Sequence, residues 1–485
     1  MFQHKQALGK NWAISTGNPL AAQAAQKVLE KGGSAIDAAI AADAVMGVVE
    51  PMATSIGGDL LALIVDPDQP VVSYNGTGRS PALLTPELVS ELPDQRIPER
   101  HPYSITVPGA VKGWHDLHQR YGLLSWKELF EDAIRHASEG FNLSKVSARE
   151  WQLFHFVLNT DPHCAQLYRA NNIPKEGEVY KNPELANTLR KIANEGWESF
   201  YFGEIPQLAE QAMLEVGGLL RAQDFAEHNG YFCTPISLTR EEHTFYQCPP
   251  NTHGCAILDA LGELPWEQCS PSVDDTLSVI QATQRALEKA AKTVHDSGGN
   301  TVCTVIVDAS GRAVTLMSSI FKRFGSGYVV PKAGFVLQNR GFGFAEPGHL
   351  NGPAPKKRPY HTVVPGAVTK NDVFHLGLGV VGGLMQPQGQ IQIMNQLFRQ
   401  NIPLDQALSN PRWRIEGKNM VALEGTMSSE MQQAIRDAGY SEPPKGLGDL
   451  AGRSDFGGAQ AVQRLDDSSL WAVSDHRKDG AAAAG

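Results

Sequence analysis

The chain has 485 residues, 42% hydrophobic and 19% charged, which excludes a mostly disordered protein and, at about 150 residues per domain, corresponds to roughly three domains or fewer large ones. Its net charge of -10 comes without a basic block, so nucleic acid is not an expected partner. Six cysteines (Cys164, Cys233, Cys248, Cys255, Cys269 and Cys303) form no C-x-x-C pair and are too sparse for a disulfide scaffold or a zinc ribbon.

The first ten residues hold no apolar core of a secretory leader, and no apolar run reaches the roughly 18 residues of a membrane span. The expectation is a cytoplasmic protein that spans no membrane, or a periplasmic one if a leader has been removed. Asn18-Pro19 opens a helix, asparagine as cap and proline at the first position, which stops at Gly32-Gly33. Ser34 to Asp37 reads as a capping box for a second, alanine-rich helix from Ala35 to about Val49. This helix is apolar on most faces and should be buried. Leu60 to Val65 is a continuous apolar run, the mark of a strand covered on both faces.

A helix follows Val107-Pro108-Gly109, with Trp114, Leu117 and Tyr121 on one side. His115 and His118 stand three apart on it, but no carboxylate follows at ligand spacing, so a solvated helix face is expected rather than a metal. From Ser125 to about Leu220 the pattern is mostly helical. Cys248 to Gly254 is a turn-rich loop, and Leu277 to Val294 recurs at helical spacing up to about His295.

The texture changes at Gly298-Gly299-Asn300-Thr301, where a permissive loop feeds a β-branched strand through Asp308 with Thr301 at its first position. Ala313–Ser319 reads as a strand pairing back on it, with further strands at 324–330, 334–337, 362–364 and 373–376 and helices at 386–400 and 429–438. The alanine tail, Ala481 to Ala484, reads only as a short biased tract.

The common catalytic motifs are missing: no G-x-x-x-x-G-K-[ST], no H-E-x-x-H and no G-x-S-x-G. Gly377-Leu378-Gly379-Val380-Val381-Gly382 matches the dinucleotide fingerprint, with Asp405 some 20 residues on. Without βαβ alternation around it the match is a decoy.

Eight short motifs fall in one order along the chain: Gly32-Gly33 with Ala35 to Ala39, Glu50-Pro51, Gly57-Gly58-Asp59, Val107-Pro108-Gly109, Phe324 to Gly327, Gln338 to Gly341, Lys357-Arg358-Pro359 and Gly382-Gly383. In that order the chain resembles the γ-glutamyltranspeptidase family over roughly residues 10 to 480, and more closely its divergent cephalosporin-acylase-like branch. The resemblance implies an α+β fold, a four-layer αββα sandwich of N-terminal-nucleophile hydrolase type. It implies self-cleavage between Asn300 and Thr301, giving a helix-rich large subunit (1–300) and a strand-rich small subunit (301–485). These would stay together as a heterodimer, alone or paired into a dimer of heterodimers.

The chemistry of that implied cut is simple. A threonine hydroxyl is a weak nucleophile at neutral pH, and a freed α-amine with a pKa of about 7.7–8.0 stands close enough to act as its base. The implied activity is that of an amidohydrolase or acyltransferase working through an acyl-Thr301 intermediate on small γ-glutamyl-like or glutaryl-like amides, without metal or cofactor. By resemblance Gly382 and Gly383 supply oxyanion N–H donors, and Ser319 the hydroxyl beside the nucleophile. Standard members hold the substrate α-carboxylate with an arginine and two serines and the α-amine with an asparagine, a glutamine and an aspartate. Here those positions match Thr77 (with Arg79 two residues on), His361-Thr362, and Phe321, Arg340 and Gly343. The ammonium's anionic partner is gone and a cation has entered. Arg79, Arg340, His361 and Thr362 therefore read as binding residues for a carboxylate-bearing acyl group without the amine. Two alternatives stand beside this reading. One is a true glutathione γ-glutamyltransferase. The other is an uncleaved, silent peptide-binding homologue, to which Val302-Cys303 points, since standard members carry Thr-His there.

Overall fold

The computed structural model describes residues 4–293, 300–443 and 456–485, with Thr293 and Asn300 described by backbone alone. Two seven-stranded antiparallel sheets lie face to face with helices outside each. The first sheet runs, in spatial order, Ala481–Ala484, Ala13–Thr16, Asn300–Val307, Ala313–Phe321, Asp59–Val65, Val72–Asn75 and Tyr231–Cys233. The facing sheet runs Gln6–Gly9, Leu470–Ser474, Gly458–Arg464, Val373–Val381, Gly366–Lys370, His243–Gln247 and Ile236–Arg240. This is the four-layer αββα sandwich. Both sheets draw strands from both sides of position 300.

Local chemistry accounts for the elements. Asn18 caps Pro19–Glu30 by accepting from the Leu20 amide at 3.0 Å. Ser34 and Asp37 close the expected capping box on Ala35–Val49, every residue of which is buried. Along Asn300–Val307 the side chains alternate. Val302 and Ile306 join the core under the helices, while Cys303, Val305 and Val307 join the core between the sheets. On the far side, Gly254–Glu263, Val273–Thr293 and Met385–Phe398 cover the second sheet.

Several sequence expectations change. Residues 362–364 form no strand, since the only ladder contact there is an isolated bridge from His361 to Thr252. The pattern at 324–337 shrinks to a pair of two-residue strands, Val329–Val330 and Phe335–Val336. The alanine tail is an edge strand, Ala481–Ala484, paired with Ala13–Thr16 and anchored by Lys10, Asn11 and Trp12 amides donating to the Gly485 carbonyl. Small side chains suit it because Ala481, Ala482 and Ala483 are all buried. His115 stacks on Trp197, and His118 Nε2 meets the Leu124 carbonyl at 2.9 Å.

The dinucleotide decoy has a packing explanation. Gly377 and Gly379 lie inside the strand Val373–Val381, facing the other sheet. A Cβ at Gly379 would come within 2.4 Å of Cys303 Sγ, and one at Gly377 within 2.5 Å of Val305 Cγ1. The two sheets meet there at glycine distance, which also explains a cysteine at 303. Gly379→Ala should therefore overpack the interface and cost about 1–3 kcal/mol, read as a lowered midpoint in denaturant unfolding; an unchanged midpoint would show the contact to be slack.

Candidate active site

Asn300–Val307 is bonded on both sides, to Ala13–Thr16 and to Ala313–Phe321. The strand begins at Asn300, one residue earlier than expected, and the glycines Gly298 and Gly299 lie outside the described residues. The ladder pairs Asn300 with Phe321 and Val302 with Ser318, so Thr301 faces two residues, Ser319 and Ile320, across a bulge. Bulges re-aim side chains and recur beside active sites. Thr301 is 2% exposed, and alternation places it on the side of the second sheet. There Gln386, in the first turn of Met385–Phe398, donates from Nε2 to Thr301 Oγ1 at 2.7 Å while its Oε1 accepts from the Val364 amide at 3.1 Å.

That helix starts from Gly382 and Gly383, with φ of 117° and 62°. Both values lie in the left-handed region that favours glycine. Their carbonyls accept from the Met385 and Gln386 amides, so the same turn that carries the glycines seats Gln386 on Thr301.

On the neighbouring strand Ser318 and Ser319 point to opposite faces. Ser319 Oγ accepts from the Phe321 amide at 2.9 Å and from Arg340 Nη2 at 3.0 Å. Arg340 Nη1 donates to Thr362 Oγ1 at 3.0 Å, and the guanidinium lies 4.1 Å over the Phe321 ring. Phe321 itself sits at φ 76°, a strained conformation for a bulky residue and of the kind that clusters at functional sites. Arg340, Ser319, Thr362 and Phe321 thus form one cluster, all fully buried. Gly343, at the position of a lost polar group, offers only its carbonyl, which accepts from Asn351 Nδ2 at 2.7 Å.

His361 joins the cluster from behind. Its Nε2 donates to Asp59 Oδ2 at 3.2 Å and its Nδ1 accepts from the Val363 amide at 3.3 Å. Burial, reinforced by the Arg340 charge, lowers its pKa to about 4, so the ring is neutral and both nitrogens are committed. Asp59 Oδ1 accepts from the Gly78 amide and Gln338 Nε2, both at 2.8 Å. Arg79 stands apart. It is exposed and donates to the Lys356 carbonyl at 3.0 Å, so it contributes nothing to this cluster in the structure. Thr77 is buried and donates to Asn75 Oδ1 at 2.7 Å.

Three features escape the sequence reading. Gln386 lies three residues past Gly383, a spacing that a helix-start argument could use. Asp59 stands in the motif Gly57-Gly58-Asp59, but its bonds to His361, Gly78 and Gln338 were not readable there. On the other face of the Ser319 strand, Ser318 Oγ donates to Asp43, with Thr54 Oγ1 2.8 Å away and Trp114 Nε1 donating to Asp43 Oδ2 at 2.8 Å. Burial lifts the Asp43 carboxyl to about 6 against those two hydrogen bonds.

The chain matches a family model described as Gamma-glutamyltranspeptidase over residues 21–297 and 267–485. It is 31% identical to the oxamate amidohydrolase proenzyme of Klebsiella pneumoniae, covering 96% of both chains. It is 29% identical to the glutathione hydrolase-like YwrD proenzyme of Bacillus subtilis, covering 99% of both. Among solved structures, a cephalosporin acylase from Bacillus halodurans superposes with a TM-score of 0.92 at 31% identity, covering 99% of this chain and 97% of that one.

The Gln386 bond is the contact that most directly touches the threonine hydroxyl. Gln386→Leu should lower any turnover that depends on Thr301 by about 10- to 100-fold, the worth of 1–3 kcal/mol in a buried bond. Steady-state kinetics on protein with an unaltered circular dichroism spectrum would check this, and an unchanged kcat/KM would make the bond incidental.

Proposed function

Because the chain belongs to the gamma-glutamyltranspeptidase family, we propose that it is a proenzyme that cuts itself between Asn300 and Thr301 and then hydrolyses or transfers small amides through an acyl-Thr301 intermediate. The observation that carries this is the seat of Thr301: a buried hydroxyl on a central strand, held by Gln386 Nε2 at 2.7 Å beside the Gly382-Gly383 turn. In the precursor Thr301 Oγ1 attacks the Asn300 carbonyl, the amide bond breaks as its nitrogen takes the hydroxyl proton, and water hydrolyses the resulting ester to free the Thr301 hydroxyl and the Asn300 carboxyl. Once that bond is cut, the α-amine of Thr301 takes the proton from its own hydroxyl as Oγ attacks the substrate carbonyl, then passes it to the leaving amine. The developing oxyanion is met by backbone N–H groups of the Gly382-Gly383 turn, of which one donor is typically worth roughly 10²–10³ in rate. Water or an amine then takes the acyl group. The fragments 1–300 and 301–485 stay together because each sheet is built from both.

The substrate class follows from charge. Arg340 brings a buried cation to Ser319 and Thr362, His361 is neutral, and Asp59 is taken up by Gly78, Gln338 and His361. A carboxylate on the acyl group suits that set, and an α-ammonium beside it does not. The relative named for oxamate supports this direction, since an oxamate acyl group carries a carboxylate and no amine. A glutaryl-like acyl group belongs to the same class. The relative named glutathione hydrolase-like favours the second reading, a γ-glutamyl substrate.

Denaturing gels of the purified protein should show two bands matching 1–300 and 301–485, and Thr301→Ala should leave one band and no amide hydrolysis. Turnover surviving in that variant would end the mechanism. Glutaryl-p-nitroanilide should be cleaved with higher kcat/KM than γ-glutamyl-p-nitroanilide, and Arg340→Met should erase that preference; the reverse ranking selects the γ-glutamyl reading.

A further inference from the structure

A small cavity borders Thr301, and its walls include Gly17, Met46, Glu50, Val381, Gln460 and Asp479. Glu50 ends the buried helix Ala35–Val49, where its amide donates to the Met46 carbonyl at 2.9 Å. Two donors reach its carboxyl, Asn18 Nδ2 at 2.9 Å and Ser147 Oγ at 3.2 Å, and both use Oε1. Among the described residues, no hydrogen bond is made to Oε2.

The charged neighbours on every side are otherwise engaged. Glu150 takes Arg323 at 3.1 and 3.2 Å and Lys478 Nζ at 2.8 Å. Burial alone would raise Glu150, but those two cations outweigh it and hold the carboxyl at about 2. Asp479 accepts from Ser144 Oγ. Lys5 Nζ is spent on the Asp475, Lys478 and Gly480 carbonyls. Glu50 is left with neutral donors only. Burial and the nearby Asp479, with Glu150 adding to them, raise its pKa to about 8 against the pull of Asn18 and Lys478. The negative end of the helix it terminates acts in the same direction. Glu50 therefore holds a proton at neutral pH, beside the nucleophile, in a site that the hydroxyl, the glycines and Arg340 do not use.

We propose that Glu50 is the positioning residue for the α-amine that Thr301 gains on cleavage: across the shared cavity its Oε2 hydrogen-bonds that nitrogen and fixes its direction toward Thr301 Oγ1. This rests on the self-cleaving reading above. One proton is then shared by two groups. With it on Glu50 the amine is a free base; with it on the amine, an ammonium faces a carboxylate. The two titrate as a pair. An anionic partner favours the ammonium, so Glu50 raises the pH at which the amine becomes a base.

The test is the acid limb of kcat/KM against pH, measured on whichever p-nitroanilide the processed enzyme cleaves. Glu50→Gln keeps the shape and the acceptor oxygen but cannot ionise. It should still give two bands and should move the acid limb to lower pH by about half a unit or more, with KM nearly unchanged. A processed Glu50→Gln enzyme with an unmoved limb overturns the proposal and leaves Glu50 a helix end. If that variant gives no processed protein, Ser147→Ala takes its place. It removes a donor that stabilises the ionised carboxyl, so Glu50 holds its proton more firmly and the limb moves the same way by less; an unmoved limb there likewise overturns the proposal. A single band from the unmutated protein, or turnover by Thr301→Ala, would instead fail the self-cleaving reading itself, and neither outcome depends on Glu50.

Discussion

The structure depends on one strand that is bonded on both edges and packed on both faces. Asn300–Val307 lies between Ala13–Thr16 and Ala313–Phe321, under the helix Ala35–Val49 and over the second sheet. Its ladder with Ala13–Thr16 starts at Thr304, so at the head of the strand Thr301 sits opposite the bulge and is held by close packing and by the Gln386 bond to its hydroxyl. The Thr301 hydroxyl is therefore positioned by the fold itself, with no ligand present. The interleaving of strands from both sides of position 300 has a second effect. Each sheet is thereby tied together across position 300, with strands of 1–300 bonded to strands of 301–485.

Around that strand the polar groups sort by face. On the side of the second sheet lie Thr301, Gln386, Ser319 and Arg340, with His361 and Asp59 behind. On the helix side lie Ser318, Thr54, Asp43 and Trp114, a closed set of hydrogen bonds that anchors the strand to its helix layer. Period-two alternation puts adjacent serines to different uses: Ser318 serves the scaffold and Ser319 the site. Burial does most of the electrostatic tuning. It keeps His361 neutral and lifts Asp43 and Glu50, while Arg340 keeps a buried cation on the Ser319 side of the threonine.

Much of this was legible in the residues. Caps, an alanine-rich buried helix and β-branched runs identified the helix Ala35–Val49, the strand Asp59–Val65 and the hairpin Asn300–Phe321, because each signal is local. The tail Ala481–Ala484 and the segment 362–364 were misread for the opposite reason. Alanine carries little strand propensity, so only pairing with Ala13–Thr16 makes the tail a strand. Thr-Val-Val carries much, yet 362–364 stays outside the sheets, where Thr362 and Val364 serve Arg340 and Gln386 instead. Among the site residues, Arg340, Ser319 and Thr362 meet as a group, whereas Arg79, chosen for its charge and its place near the matched Thr77, faces solvent.

By itself the sequence determined the family, the main helices and strands and the β-branched strand that carries Thr301 near its start. These are read from residue types and short motifs at fixed spacing along one chain. Only the tertiary structure decided that Gln386 meets Thr301 across 85 positions, that Gly377 and Gly379 serve sheet packing rather than a phosphate, and that Glu50 ends its helix in the cavity beside Thr301. The reason is physical. Hydrogen bonding and burial act through space, and a carboxyl or an amide acquires its role from whichever distant segment folds against it.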